Sequence, residues 1–223
     1  MVPYRLPLFP LQVVLFPGTA LPLHIFEPRY RQMLADCLAG SRRFGVTPAG
    51  SASESPDPGM AGCVAEVKAN EQLPDGRSNI LVMGGTRFML RHVFAAPEPY
   101  YTGLVDEFED DRATLPPAEA VKELRERFGE YFRVLRLLND TEPEEPSLPD
   151  PPLALSFAVA AAVECDAATK QALLVTRSTR ERVTSLLRML PGLTGQLEAA
   201  LHVHRRAHGN GKGGSYSVLP SDL

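Results

Sequence analysis

The chain reads as an α+β protein. The expected architecture is a six-stranded, closed or nearly closed β-barrel with one helix over residues 1–112. A C-terminal helical bundle of about four helices follows over 116–208, then a loose tail at 209–223. Apolar residues recur with period 2 in short, turn-bounded runs as far as Phe108, and with period 3.6 beyond Pro116-Pro117. The 223 residues hold one large domain or two small ones, and they are enough to bury most of the apolar surface of the unfolded chain. Several short strands whose closure is non-local favour a small barrel over an open sheet.

Leu6–Leu11 and Val14–Gly18 are apolar runs cut by Pro7, Pro10 and Pro17. Each proline removes a backbone donor and fixes φ, so these strands are brief and bent. Pro17-Gly18 marks a sharp turn. Leu21, Leu23 and Ile25 then alternate with Pro22 and His24, as in a half-buried strand. Pro28 suits the first turn of a helix, and Tyr30, Met33, Leu34, Cys37 and Leu38 give a helix at Pro28–Leu38 its apolar face. Ser51–Gly59 is polar and rich in Pro and Gly, hence a surface loop. Gly62–Leu73 and Ser78–Gly84 flank Pro74-Asp75-Gly76, a hairpin signal. Arg87–Phe94 and Tyr101–Phe108 read as further strands, with Gly84-Gly85 as a bulge or tight bend.

Beyond the acidic run Glu107–Asp111, apolar residues at Val121, Leu124, Phe128, Phe132 (with Tyr131), Leu135 and Leu138 describe a long amphipathic helix. Asn139–Pro149 is an acidic, Pro-rich linker. Asp150 and Pro151 open a helix that is apolar nearly all round, and Asp166 caps a short helix through Val175. Ser178 and Glu181 fit a capping box. After them Val183, Leu187, Leu190, Leu197 and Leu201 keep one helical phase across Pro191-Gly192, so the last helix is expected to pass through Pro191 as a kink.

Composition narrows the function. With 44% hydrophobic and 22% charged residues the chain has an ordinary globular make-up. A net charge of −4 and a pI near 5.8 give no general attraction for nucleic acid or anionic membrane. No apolar run approaches the ~18 residues of a membrane span, and the first residues lack the pattern of a secretory signal. Cys37, Cys63 and Cys165 are widely separated, which suits reduced thiols in a cytoplasm. Gly211-Lys212 is followed by Gly213 where a phosphate loop needs Ser or Thr, and no nucleophile elbow occurs. Of His202, His204 and His208 only the last two are four apart, with no third ligand nearby. Neither a cofactor nor a metal is expected, and the Glu107–Asp111 run reads as a solvated strand end. Glu27–Arg31 is the most site-like polar cluster. Arg29 and Tyr30 there either face a groove or serve the helix start and the barrel core, and the helix start accounts for both features.

Four blocks, LPLFPL at Leu6–Leu11, VLFPG at Val14–Gly18, LPLHIFEPRYRQML at Leu21–Leu34 and LPDGRSNILVMGGTRFML at Leu73–Leu90, closely resemble the Lon N-terminal domain family, also called the Lon substrate-binding domain. Leu153–Leu190 gives a weaker echo, so the resemblance runs over roughly residues 4 to 205. It implies a PUA-like barrel in a stand-alone member without the ATPase and peptidase modules. The implied function is non-catalytic binding of unfolded or extended polypeptide, as a quality-control adaptor with a protease in trans as partner. The expected peptide-binding residues are Phe26, Arg29 and Tyr30 together with Val121, Leu124 and Phe128, where barrel and bundle are expected to meet. The alternative is RNA binding through the PUA-like barrel. Against it stand the acidic pI, the absence of Trp and the lack of a Lys/Arg stripe with interleaved aromatics. The oligomeric state and the identity of any client are open at this level.

Overall fold

Prolines and glycines cut the first hundred residues into strands, and a single uninterrupted amphipathic stretch among them becomes helix. In the computed structural model, residues 2–49, 55–94, 97–111 and 115–209 are described, 207–209 by their backbone alone. The tail expected beyond residue 209 and the first part of the Ser51–Gly59 loop lie outside the described residues. The elements are β1 (Tyr4–Leu11), β2 (Ala20–Ile25), α1 (Pro28–Ala39), β3 (Arg43–Pro48), β4 (Ala61–Gln72), β5 (Ser78–Phe94), β6 (Tyr101–Phe108), α2 (Ala118–Leu138), α3 (Pro152–Ala162), α4 (Ala167–Val175) and α5 (Thr179–Gly209). The chain divides into two units, Met1–Ala113 with Ala160–Ser178, and Thr114–Val159 with Thr179–Leu223.

The first unit is built on one six-stranded sheet in the order β2-β5-β4-β3-β1-β6, with β6 pairing in addition to β5. This corrects the expectation of a closed six-stranded barrel. The reason is the length of β5, whose 17 residues run straight through Gly84-Gly85 instead of breaking there. Its first half pairs with β2, its second half with β6, and β2 has no other strand neighbour. The glycines do mark a bulge, because the β4 register slips between Cys63 and Ala65. Gly84 also lets another segment approach. It exchanges backbone bonds with Gly18 and Thr19 (2.8 and 2.9 Å), and a Cβ there would collide with the Phe16 carbonyl. The β4–β5 hairpin turns at the expected place, with Gly76 at φ +81 and the Leu73 amide donating to the Arg77 carbonyl at 2.8 Å.

The sheet buries both faces. Tyr30, Met33, Leu34 and Cys37 of α1 pack with Phe9, Phe44, Val46 and Val82 on one side. Leu6, Leu8, Val64, Phe88, Leu90 and Val105 form a second cluster. Helix α4 belongs to this unit, and its carbonyl end is fastened by a buried arginine. Arg87, 3% exposed, donates to the carbonyls of Leu174 (2.7 Å) and Thr176 (2.8 Å) and pairs with the buried carboxylate of Asp110. Asp166 caps the other end of α4, accepting from the Thr169 amide at 2.9 Å.

In the second unit Leu124, Phe128, Tyr131 and Val134 of α2 are buried, as are Val183, Leu186 and Leu190 of α5. Helix α5 continues through Pro191. Proline removes the bond that would reach the Leu187 carbonyl. Arg127 of α2 supplies a replacement, its Nη1 lying 3.4 Å from that oxygen. Among the described residues no strand follows Phe108.

Candidate functional site

Helix α1 presents two different stripes. Tyr30, Met33, Leu34 and Cys37 fall on the buried one, while Pro28, Arg31, Gln32, Ala35 and Leu38 recur at three- and four-residue spacing on the other. This second stripe forms one wall of a groove of about 520 Å³. The far end of the β4–β5 hairpin, with Asn70, Gln72, Gly76 and Ser78, forms the other wall. The local cause is that β4 outruns its core. Ala61–Ala65 and Val67 are buried, but every residue from Lys68 to Gln72 is exposed. Asn70 and Gln72, two apart on a strand, therefore share a face, and Gln72 lies opposite Ser78 in the ladder.

The groove is mixed in chemistry, and its polar groups are not consumed by the fold. Arg31 is the one charged side chain among the lining residues. Among the described residues, Arg31, Asn70 and Gln72 have no side-chain partner, and neither does the hydroxyl of Ser78, although Ser78 is only 6% exposed. Gln32 is held differently. Its amide donates to Asp36 Oδ1 at 2.8 Å, while Tyr100 donates to Asp36 Oδ2 at 2.8 Å. Burial, and then the Asp36 carboxylate, hold the Tyr100 hydroxyl above the ordinary tyrosine range.

The six residues expected at the site are distributed otherwise. Phe26 is 58% exposed, with its ring stacked on His24 at 6.0 Å, two residues ahead of Pro28 in the groove wall. Arg29 turns to Glu27 (2.8 Å) and lies over the Tyr30 ring. Tyr30 itself is buried against Phe9, with ring centroids 4.2 Å apart. Leu124 and Phe128 are interior residues of the second unit and Val121 is half-buried on the same helix. Tyr30, Leu124 and Phe128 thus present a ligand with almost no area. The structure groups Phe26, Arg29 and Tyr30 in one unit and Val121, Leu124 and Phe128 in the other. Sequence reasoning did not select Arg31, Asn70, Gln72 or Ser78. The available signal was β4 itself, whose polar tail, Asn70 to Gln72, continues the strand past its last apolar residue.

The remaining candidates serve the fold. Glu107 accepts from Tyr4 at 2.5 Å, Asp110 binds Arg87 and Asp111 binds Arg177 at 3.2 Å, so these three carboxylates of the acidic run have internal partners. His204 faces Asp140 at 3.1 Å. Burial pushes the Cys37 and Cys63 thiols up to about 12. Among the described residues no group of three or more His, Cys, Asp or Glu side chains is placed to hold a metal ion, and no helix is long and apolar enough to cross a membrane.

The model of the ATP-dependent protease La (LON) substrate-binding domain matches residues 5–191. The chain belongs to this family. The part of Lon matched is its substrate-binding domain, which is non-catalytic. The Lon protease of Cytophaga hutchinsonii is 26% identical over 216 residues, which cover 92% of this chain and 26% of that protein. That of Flavobacterium johnsoniae is 30% identical over 117 residues, 50% of this chain and 14% of that protein. The chain thus spans about a quarter or less of these proteases. Its fold is that of the Lon N-terminal domain protein from Xanthomonas campestris (TM-score 0.64, 22% identity, 83% of this chain and 98% of the other). The N-terminal domain of Mycobacterium avium complex Lon protease superposes with a TM-score of 0.53 at 20% identity, over 86% of this chain and 98% of the other.

Proposed function

We propose that this chain is a non-catalytic polypeptide-binding protein that receives extended or unfolded segments in the groove between α1 and the β4–β5 hairpin. The observation that carries the reading is the set of polar groups left unspent there. The amides of Asn70 and Gln72 and the hydroxyl of Ser78 offer donors and acceptors with no internal partner, beside the apolar side chains of Leu34 and Leu38. Residues two apart on a strand repeat at about 6.6–6.8 Å, which is also the repeat of an extended client. Asn70 and Gln72 therefore meet equivalent main-chain groups of such a client in register. Exposed Phe26 adds apolar area two residues from the groove wall. Family membership supports the same reading, since the matched family is a substrate-binding domain. In this reading the protein acts as a quality-control adaptor and delivers clients to a protease in trans. Affinity is weak, because an unfolded client loses conformational entropy when it is ordered.

Fluorescence anisotropy with denatured client proteins and short apolar peptides tests the proposal. The wild-type chain binds in the micromolar range, and Ala35→Trp, which fills the groove from an exposed helix position, weakens binding at least tenfold without changing the unfolding midpoint. Equal affinity in Ala35→Trp places binding elsewhere. If no peptide binds while structured RNA binds with a steep salt dependence, the polypeptide reading fails.

A further inference from the structure

We infer that Arg31 makes the groove selective for the C-terminal carboxylate of an extended polypeptide. This rests on the groove being the polypeptide site. Arg31 is an exposed guanidinium with no ion-pair or hydrogen-bond partner among the described residues, in a chain of net charge −4. The nearby carboxylates are engaged with other groups. Glu27 holds Arg29, Asp75 holds Arg77, and Asp36 accepts from Gln32 and Tyr100. A lone cation among neutral amides and the Ser78 hydroxyl is complementary to an anion, and the planar guanidinium fits a carboxylate with two parallel bonds.

The position of Arg31 selects the chain end over an acidic side chain. Its guanidinium rests on the backbone of Gly76 in the hairpin turn, so closely that a Cβ at Gly76 would collide with Nη2. The two walls of the groove therefore meet there. Asn70, Gln72 and Gly76 follow one another along the hairpin toward that meeting point. Arg31 stands at the end of that row, so the terminal carboxylate of a client lying along the amides arrives there. The same contact keeps the guanidinium in place before a client binds, which lowers the entropy lost on pairing.

The test compares three apolar decapeptides of one sequence: a free C-terminal acid, a C-terminal amide, and an amide with Glu at the penultimate position. Each is titrated against wild type, Arg31→Gln and Ala35→Trp in the full chain, with circular dichroism to verify the fold of the variants. The free acid binds wild type about five- to tenfold more tightly than either amide. In Arg31→Gln that preference disappears, and the free acid binds no more tightly than the plain amide. Ala35→Trp weakens all three. If acid and amide bind wild type equally and Ala35→Trp still weakens both, the groove stands and terminal capture is wrong. If the Glu peptide matches the free acid, the site reads acidic side chains and the inference about chain ends fails. An acid preference that survives Arg31→Gln removes Arg31 from the account. No binding by any peptide overturns the groove and this inference together.

Discussion

The two ends of the sheet unit are both lined with polar side chains, but they use them in opposite ways. Around α4, Arg87 spends its donors on Asp110 and on the Leu174 and Thr176 carbonyls. Arg177 reaches Asp111 and the Glu109 carbonyl, both at 3.2 Å. Around α1 and the hairpin, Arg31, Asn70, Gln72 and Ser78 have no such partners among the described residues. Polar groups satisfied within the chain hold the fold. Groups left open at a groove are available to a ligand. Residue type does not separate the two classes, since an arginine heads each.

The largest effect that tests this contrast is on stability at the α4 end. Arg87→Ala leaves the Asp110 carboxylate, 7% exposed, buried beside an empty site. Urea unfolding should show a loss of about 3–5 kcal/mol. A loss under about 1 kcal/mol would mean that Arg87 does not fasten α4 and that the two ends differ less than described.

A smaller effect belongs to the helix that crosses Pro191. Arg127→Ala exposes the Leu187 carbonyl and should cost about 1 kcal/mol. In a Pro191→Ala background the restored backbone N–H takes that carbonyl, so the same substitution costs clearly less. Equal costs in the two backgrounds would break the link between Arg127 and the proline.

On the buried face of α1 and across the sheet, Cys37 and Cys63 sharpen the contrast through pH. Both thiols are raised from about 9 to about 12 in the folded chain, chiefly by burial. A raised folded value means that this stability is fully present below the unfolded value and is lost as pH rises from about 9 to about 12. Thermal unfolding should therefore fall more steeply over that window in the wild type than in Cys63→Ala. Parallel curves would show that the thiol is not held neutral. At the groove the smallest effect is expected. Asn70→Ala and Gln72→Ala change stability by no more than about 0.5 kcal/mol, while peptide affinity drops severalfold.

Much of the fold was legible. Pro28 with the Tyr30, Met33, Leu34 and Cys37 stripe announced α1, Asp75-Gly76 announced the hairpin, and an unbroken apolar phase carried α5 through Pro191. Strand β3 was missed because Phe44–Thr47 are all buried, so no alternation betrays the strand. Strand β5 was split at Gly84-Gly85 because glycine pairs signal bends. Here they serve a bulge and a close approach by the Phe16–Thr19 segment. The candidate site was half legible. The Glu27–Arg31 cluster drew notice, but Arg29 and Tyr30 were preferred over Arg31. Tyr30 shares its phase with Met33, Leu34 and Cys37, which places it in the core, whereas Arg31 shares its phase with Gln32 and Ala35. Val121, Leu124 and Phe128 were selected as the place where barrel and bundle were expected to meet, but they belong to an apolar stripe of helical period, and that is the signal of an interior face.

The central claim, that the α1–hairpin groove is where polypeptide binds, is tested most directly by amide NMR of the full chain during titration with an apolar peptide bearing a free C-terminus. The account predicts shifts concentrated at Arg31, Gln32, Ala35, Asn70, Gln72, Gly76 and Ser78, with little change along α5 or around Arg87. Saturable shifts confined to α2 and α5, with the groove amides unmoved, would contradict it.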